Sequence, residues 1–314
     1  MKKPINTVHL SGLLYEHDLT LKTTGENSKK PGTPFISGTI SIATDDAITN
    51  IVQVHFTYVT AITGKLTPNA TFNALNAILE GKAKSVMEHG KENAAKIKCD
   101  TAVGLNEFYT DRNGKEELVS TKRNEGGFVH IVNEIETDEK VRNRFDTDIV
   151  ITGVVRKEAD EEKNIPEKVV VRGAIFDFKK SLLPVEFEAT NPRAMDYFEG
   201  LEASAKEPVF TKVWGRQVST TVIVSVSEEN AWGEIDIKQV PRTYKGFVIT
   251  GANPVPYDWD DESTITAEEV KAAIQQRELD LAAMKKRQDE YKASKAMASA
   301  VVVPSAPKAG NFVF

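Results

Sequence analysis

One cysteine, Cys99, is the only thiol in 314 residues, so no disulfide can form within the chain. That scarcity points to a reducing, cytoplasmic setting. It also excludes a structural zinc site of the usual thiolate kind. The histidines, His9, His17, His55, His89 and His130, have no metal-ligand spacing either. A glycine-rich phosphate loop of the Walker type is missing. The carboxylate clusters Asp45-Asp46 and Asp258-Asp260-Asp261 read as a solvated turn and a linker. The sequence therefore predicts no catalytic residue, no metal and no cofactor. No apolar run approaches the ~20 residues of a membrane span. Met1-Lys2-Lys3 has the basic start of a signal peptide, but the apolar core that must follow is absent.

Positive charge is also in short supply. The net charge is −6, and by segment it is −1 over residues 1–136, −7 over 137–262 and +2 over 263–314. Such a field repels a polyanion, so any polyanionic ligand needs a local basic groove. What the chain does have is an ordinary globular balance, 40% hydrophobic and 27% charged, and enough length for two domains.

Strand patterns dominate. Residues 5–15, 34–43 and 51–60 alternate apolar and polar positions, placing Val8, Leu10 and Leu14, then Ile36, Ile40 and Ile42, then Val52, Val54, Phe56 and Tyr58 on inner faces. A helix fits 69–89, with Phe72, Leu75, Ile78 and Leu79 at helical spacing and Pro68 before its first turn. Strands return over 96–109 and 117–133, joined by the turn Asp111-Arg112-Asn113-Gly114. Three strands, a helix and two strands is the layout of a five-stranded Greek-key OB barrel.

The order then repeats. Val8 to Leu14 resembles Ile149 to Val155, Phe35 to Ile40 resembles Val170 to Ile175, and Gly127 to Ile131 resembles Gly246 to Thr250. A second helix fits Pro192 to Ser204. The expected architecture is mainly β: two tandem OB-like barrels, 1–136 and 137–252, with a linker over 253–265. Gly12, Gly38, Gly153 and Gly173 sit where barrel strands bend, or are simply tolerated. A capping box, Thr266 with Glu269, opens a C-terminal helix predicted over 266–293. An Ala-, Ser- and Pro-rich tail, 294–314, is expected to be flexible and ends in Phe312-Val313-Phe314, an apolar tip suited to a protein partner.

Single-stranded nucleic acid is held by bases stacked on aromatic rings beside cations that neutralise the backbone. Positions out of phase with the core offer Phe35, Lys96, Lys98, Phe108 and Phe128 in the first unit. In the second they offer Arg172, Phe176 and the alternating Lys212, Trp214 and Arg216. The plainer alternative is rings packed under loops, with solvated charges beside them.

The stretch Asn6-Thr7-Val8-His9-Leu10-Ser11-Gly12, a long hairpin and then Phe35-Ile36-Ser37-Gly38 resembles the opening of OB-fold single-stranded DNA-binding proteins. With the repeat and the tail, the resemblance is to a bacterial member encoded by a virus or mobile element. It implies sequence-independent protection of single-stranded DNA in replication or recombination, with replication or recombination proteins as partners of the tail. Lys308 stands where the family's tail is acidic, a departure that counts against the same partners. A scaffolding protein of a virus particle, or an OB module that binds protein, also fits these elements.

Overall fold

The alternation read above builds two barrels of the same design. The structure, a computed structural model, describes residues 3–301 except 27, 29, 161–164, 230, 231, 234, 260 and 262–264. In the first barrel β1 (Asn6–His17), β2 (Thr20–Thr23), β3 (Pro34–Ala43) and β4 (Ile51–Thr60) precede helices α1 (Ala70–Leu79) and α2 (Val86–His89). Then come β5 (Lys96–Arg112) and β6 (Lys115–Val132). After α3 (Glu139–Arg142), the second barrel runs β7 (Asn143–Lys157), β8 (Lys168–Phe176), β9 (Leu182–Ala189), α4 (Pro192–Gly200), β10 (Val209–Glu229) and β11 (Ile235–Ala252). A last helix, α5, spans Ala267–Val301.

Both barrels close in the same way. In the first, β1 pairs with β3, β3 with β4, β4 in parallel with β6, β6 with β5, and β5 returns to β1. In the second, β7, β8, β9, β11 and β10 repeat that circuit, with the β9–β11 pair again parallel. In each case the helix lies between the third and fourth of the five strands that close the barrel, β2 standing outside that circuit, which is the OB arrangement. The molecule is thus mainly β, two tandem OB-like Greek-key barrels with a C-terminal helix. Gly38, at φ +129°, sits at the β3 bulge, where an L side chain rarely fits.

The barrels share a seam. β1 also pairs antiparallel with β7, Asn6 to Thr147 through Leu10 to Asn143, so the described strands form one eleven-stranded sheet. A buried amide cluster reinforces the joint. Gln217 and Asn124 exchange hydrogen bonds of 2.8 and 2.7 Å. Asn143 donates to the Gln217 carbonyl at 2.6 Å, and Asn50 donates to the same oxygen at 3.0 Å. The second core is aromatic: Phe145, from the seam strand, lies 5.2 Å from Phe187 and 5.7 Å from Phe247 between ring centroids.

Three expectations are corrected. The helix read over 69–89 is two, because the chain turns at Gly81 with φ +70° after the Glu80 cap. The helix read over 266–293 runs on to Val301, since Ala296, Ala298 and Ala300 are good helix formers. Residues 294–301 are therefore helical rather than tail, and Phe312, Val313 and Phe314 lie outside the described residues. The short β2 was not read from the sequence at all.

α5 crosses from one barrel to the other. Its start packs with Ile265, Ala273 and Val270 against Phe176, Leu182 and Phe210 of the second barrel. Farther on it reaches the β5–β6 hairpin of the first: Arg277 pairs with Glu107, and Gln288 both accepts from the Tyr109 N–H and donates to its carbonyl.

Candidate nucleic-acid interface

Because paired antiparallel residues share a face, the seam aligns a row of side chains across five strands. Phe128 of β6 faces Asp100 of β5, Asp100 faces His9 of β1, and His9 faces Arg144 of β7. Asp146, two residues along β7, faces Trp214 of β10. This outward face spans both barrels. Phe128 is 68% exposed on it, the most open of the predicted rings.

The charges on this face are organised. His9 Nδ1 lies 2.6 Å from Asp100, and its other nitrogen lies 3.4 Å from Glu136. Lys98 donates to Glu136 at 2.7 Å and Ser11 donates to it at 2.8 Å. Those hydrogen bonds, Lys98's first, hold the Glu136 carboxyl down to about 2, while the carboxylate raises the Lys98 ammonium in return. Lys96 donates to the Asn133 carbonyl at 2.9 Å. Across the seam Asp146 joins Arg144 at 2.7 Å and Lys212 at 3.2 Å, and the Arg144 hydrogen bond leads in lowering its pKa. The Arg144 guanidinium stands 5.9 Å from the Trp214 ring centroid. The half-buried indole lies over Gly251, whose missing side chain leaves it room. Arg216, two residues beyond, is exposed.

The structure therefore brings Lys96, Lys98, Phe128, Lys212, Trp214 and Arg216 to one face. The other predicted residues lie elsewhere. Phe35 is half-buried against Tyr58, centroids 4.6 Å apart, near the start of β3. Phe108 is exposed on the β5–β6 hairpin. Arg172 pairs with Glu186 at 2.8 Å in a groove between the barrels. Phe176 is a correction: at 3% exposure it is core, edge-on to Phe210 and covered by the α5 cluster, so it offers no face to a base.

Sequence reasoning missed several residues. Tyr58 was assigned to the inner phase, yet it is 51% exposed, because the β3–β4 bulge inserts a residue between Phe56 and Val59 and turns Val59 to the core in its place. His9 and Arg144 join the face only through the β1–β7 pairing, and nothing in their own strands marks it. Lys122 leaves the first barrel to lie 5.4 Å from the Phe247 ring of the second, where burial pushes its ammonium pKa down. Alternation alone would have flagged Lys122 as a solvated charge.

Among known proteins, no curated sequence matches the chain. Two crystal structures of the single-stranded DNA-binding protein from Thermus aquaticus are similar to it. The wild type is 12% identical with a TM-score of 0.42, over 80% of this chain and 93% of that one. A deletion mutant that also carries an arginine-to-alanine substitution is 11% identical with a TM-score of 0.44, over 83% and 100%. The model of the YorF family matches residues 4–291. The chain belongs to the YorF family.

Proposed function

We propose that this protein binds single-stranded DNA without sequence preference, holding and shielding the strand in replication or recombination. One observation carries this: the seam sets Phe128, Lys98, His9, Arg144 and Trp214 on a single outward face that spans both barrels. Aromatic area interleaved with cations suits a ligand with base faces and a phosphate backbone. Several of these cations already have carboxylate partners. At those cations binding exchanges one ion pair for another, which suits modest affinity, and each strand phosphate that is neutralised adds to the salt dependence. In this proposal the protein acts in a bacterial cytoplasm, is encoded by a virus or mobile element, and recruits replication or recombination proteins through Phe312, Val313 and Phe314.

The test is a titration of the full chain with fluorescent oligo-dT at two salt concentrations. Wild type should bind, and bind less well at the higher salt. Trp214→Ala should lose about 1–3 kcal/mol, the worth of one stacked base, with its thermal midpoint kept. A wild-type protein that ignores oligo-dT at both salts would refute the proposal and favour a scaffolding role.

A further inference from the structure

A cleft of about 660 Å³ opens in the second barrel beside α4, with Arg193 and Arg216 both in its wall. Tyr197, Thr250 and Gly251 are among its other lining residues, and none of the lining residues is acidic. That is unexpected where it stands, because residues 137–262 carry a net charge of −7. Most of the arginines are paired. Arg123, Arg142, Arg144, Arg156, Arg172 and Arg277 each pair with a carboxylate. Among the described residues Arg193 and Arg216 do not; Arg112 and Arg287 lack such a pair as well, but it is Arg193 and Arg216 that share the wall of this cleft. Two guanidinium groups left without counter-ions in one concave wall form a site for an anion.

We propose that this cleft is a phosphate-binding site, with Arg193 and Arg216 gripping the oxygens of one phosphate group. Guanidinium forks match phosphate oxygens in pairs, and a concave wall without carboxylates leaves nothing to repel them. The amino end of α4 is not what carries the site, because Asn191 already caps it by accepting from the Arg193 N–H. If the strand-binding proposal above holds, the phosphate belongs to the bound strand. Arg216 follows Trp214 by two residues on β10, roughly 7 Å along the strand. Gly251, under the Trp214 indole, also lines the cleft. A base stacked near Trp214 thus delivers its neighbouring phosphate to the arginines.

The experiment uses the full chain and the variants Arg193→Ala, Arg216→Ala and Arg193→Lys. Oligo-dT affinity is measured across a salt series, and the thermal midpoint is measured with and without inorganic tripolyphosphate. Each alanine variant should make the slope of log affinity against log salt shallower by about 0.7, the share of one single-strand phosphate contact, while Arg193→Lys keeps most of it. Tripolyphosphate should raise the midpoint of wild type and not that of the alanine variants. Alanine variants that keep the wild-type slope and the tripolyphosphate response overturn the cleft, even if wild type binds DNA well. Should wild type ignore oligo-dT yet lose its tripolyphosphate response on either alanine substitution, the cleft stands and the strand-binding proposal falls.

Discussion

Position 215 has no room for a methyl group. A Cβ on Gly215 would sit 2.0 Å from the Val248 carbonyl oxygen and 2.8 Å from the Phe145 ring, both part of the second core. Gly215→Ala should therefore cost about 1–3 kcal/mol or more, since neither backbone nor buried ring can move away cheaply. Thermal unfolding measures it, and an unchanged midpoint would show that the strands are less closely packed. Glu136 makes a different prediction. Its folded pKa lies near about 2, below the ordinary 4.5, so its contribution to stability is present above pH 4.5 and fades as the pH falls toward 2. Glu136→Gln should flatten that part of the acid unfolding curve, by a small amount because the carboxylate is partly screened by solvent. Unfolding midpoints of the two proteins that run parallel between pH 5 and pH 2 would exclude the effect. At this scale the sequence was legible where alternation alone decides burial, as for Ile36, Ile40 and Ile42. It misled where another element or a bulge intervenes: Phe176 is buried under α5, and the β3–β4 bulge turns Tyr58 outward.

Among the elements, α5 most needs its contacts. It is amphipathic only weakly, and apolar residues such as Leu279 and Tyr291 remain exposed along it. Its hold on the first barrel rests on polar contacts, chiefly Arg277 with the largely buried Glu107. Removing one partner of such a pair strands the other charge, at a cost of about 3–5 kcal/mol. Arg277→Ala should therefore release α5 from the β5–β6 hairpin. Hydrogen exchange should quicken in the later turns of α5 and in the hairpin, while β1 and β7 stay protected; equal protection in both proteins would show that docking rests elsewhere. The boundaries of β3 and β4 were readable because β-branched alternation and flanking turns agree. The turn at Asn113 and Gly114, at φ 55° and 76°, has the paired positive angles that its sequence announces. The break after α1 was not readable, because apolar spacing continues past Gly81 while the backbone does not.

Across the whole molecule, the amide cluster at Gln217 does what a linker cannot, fixing one barrel against the other. Gln217→Ala would leave the buried Asn124 side chain without two of its hydrogen bonds, a loss of about 1–3 kcal/mol. Calorimetry should then find a lower midpoint and still a single transition, because the continuous sheet remains. Two separate transitions would mean that the barrels are independent. The repeat was visible in the sequence because each barrel needs the same strand order to close. The seam was not, since pairing between β1 and β7 adds no periodicity beyond what each barrel already requires.

The β1–β7 seam also has a kinetic consequence. A ligand long enough to lie across both barrels meets two half-sites whose separation is set by hydrogen bonds rather than by chain statistics. Letting go of one half leaves its free end within reach of the vacated surface, so recapture competes with escape at an effective concentration set by geometry. Short ligands confined to one barrel have no such second chance. Residence time should therefore rise abruptly, rather than gradually, at the ligand length that first bridges the seam.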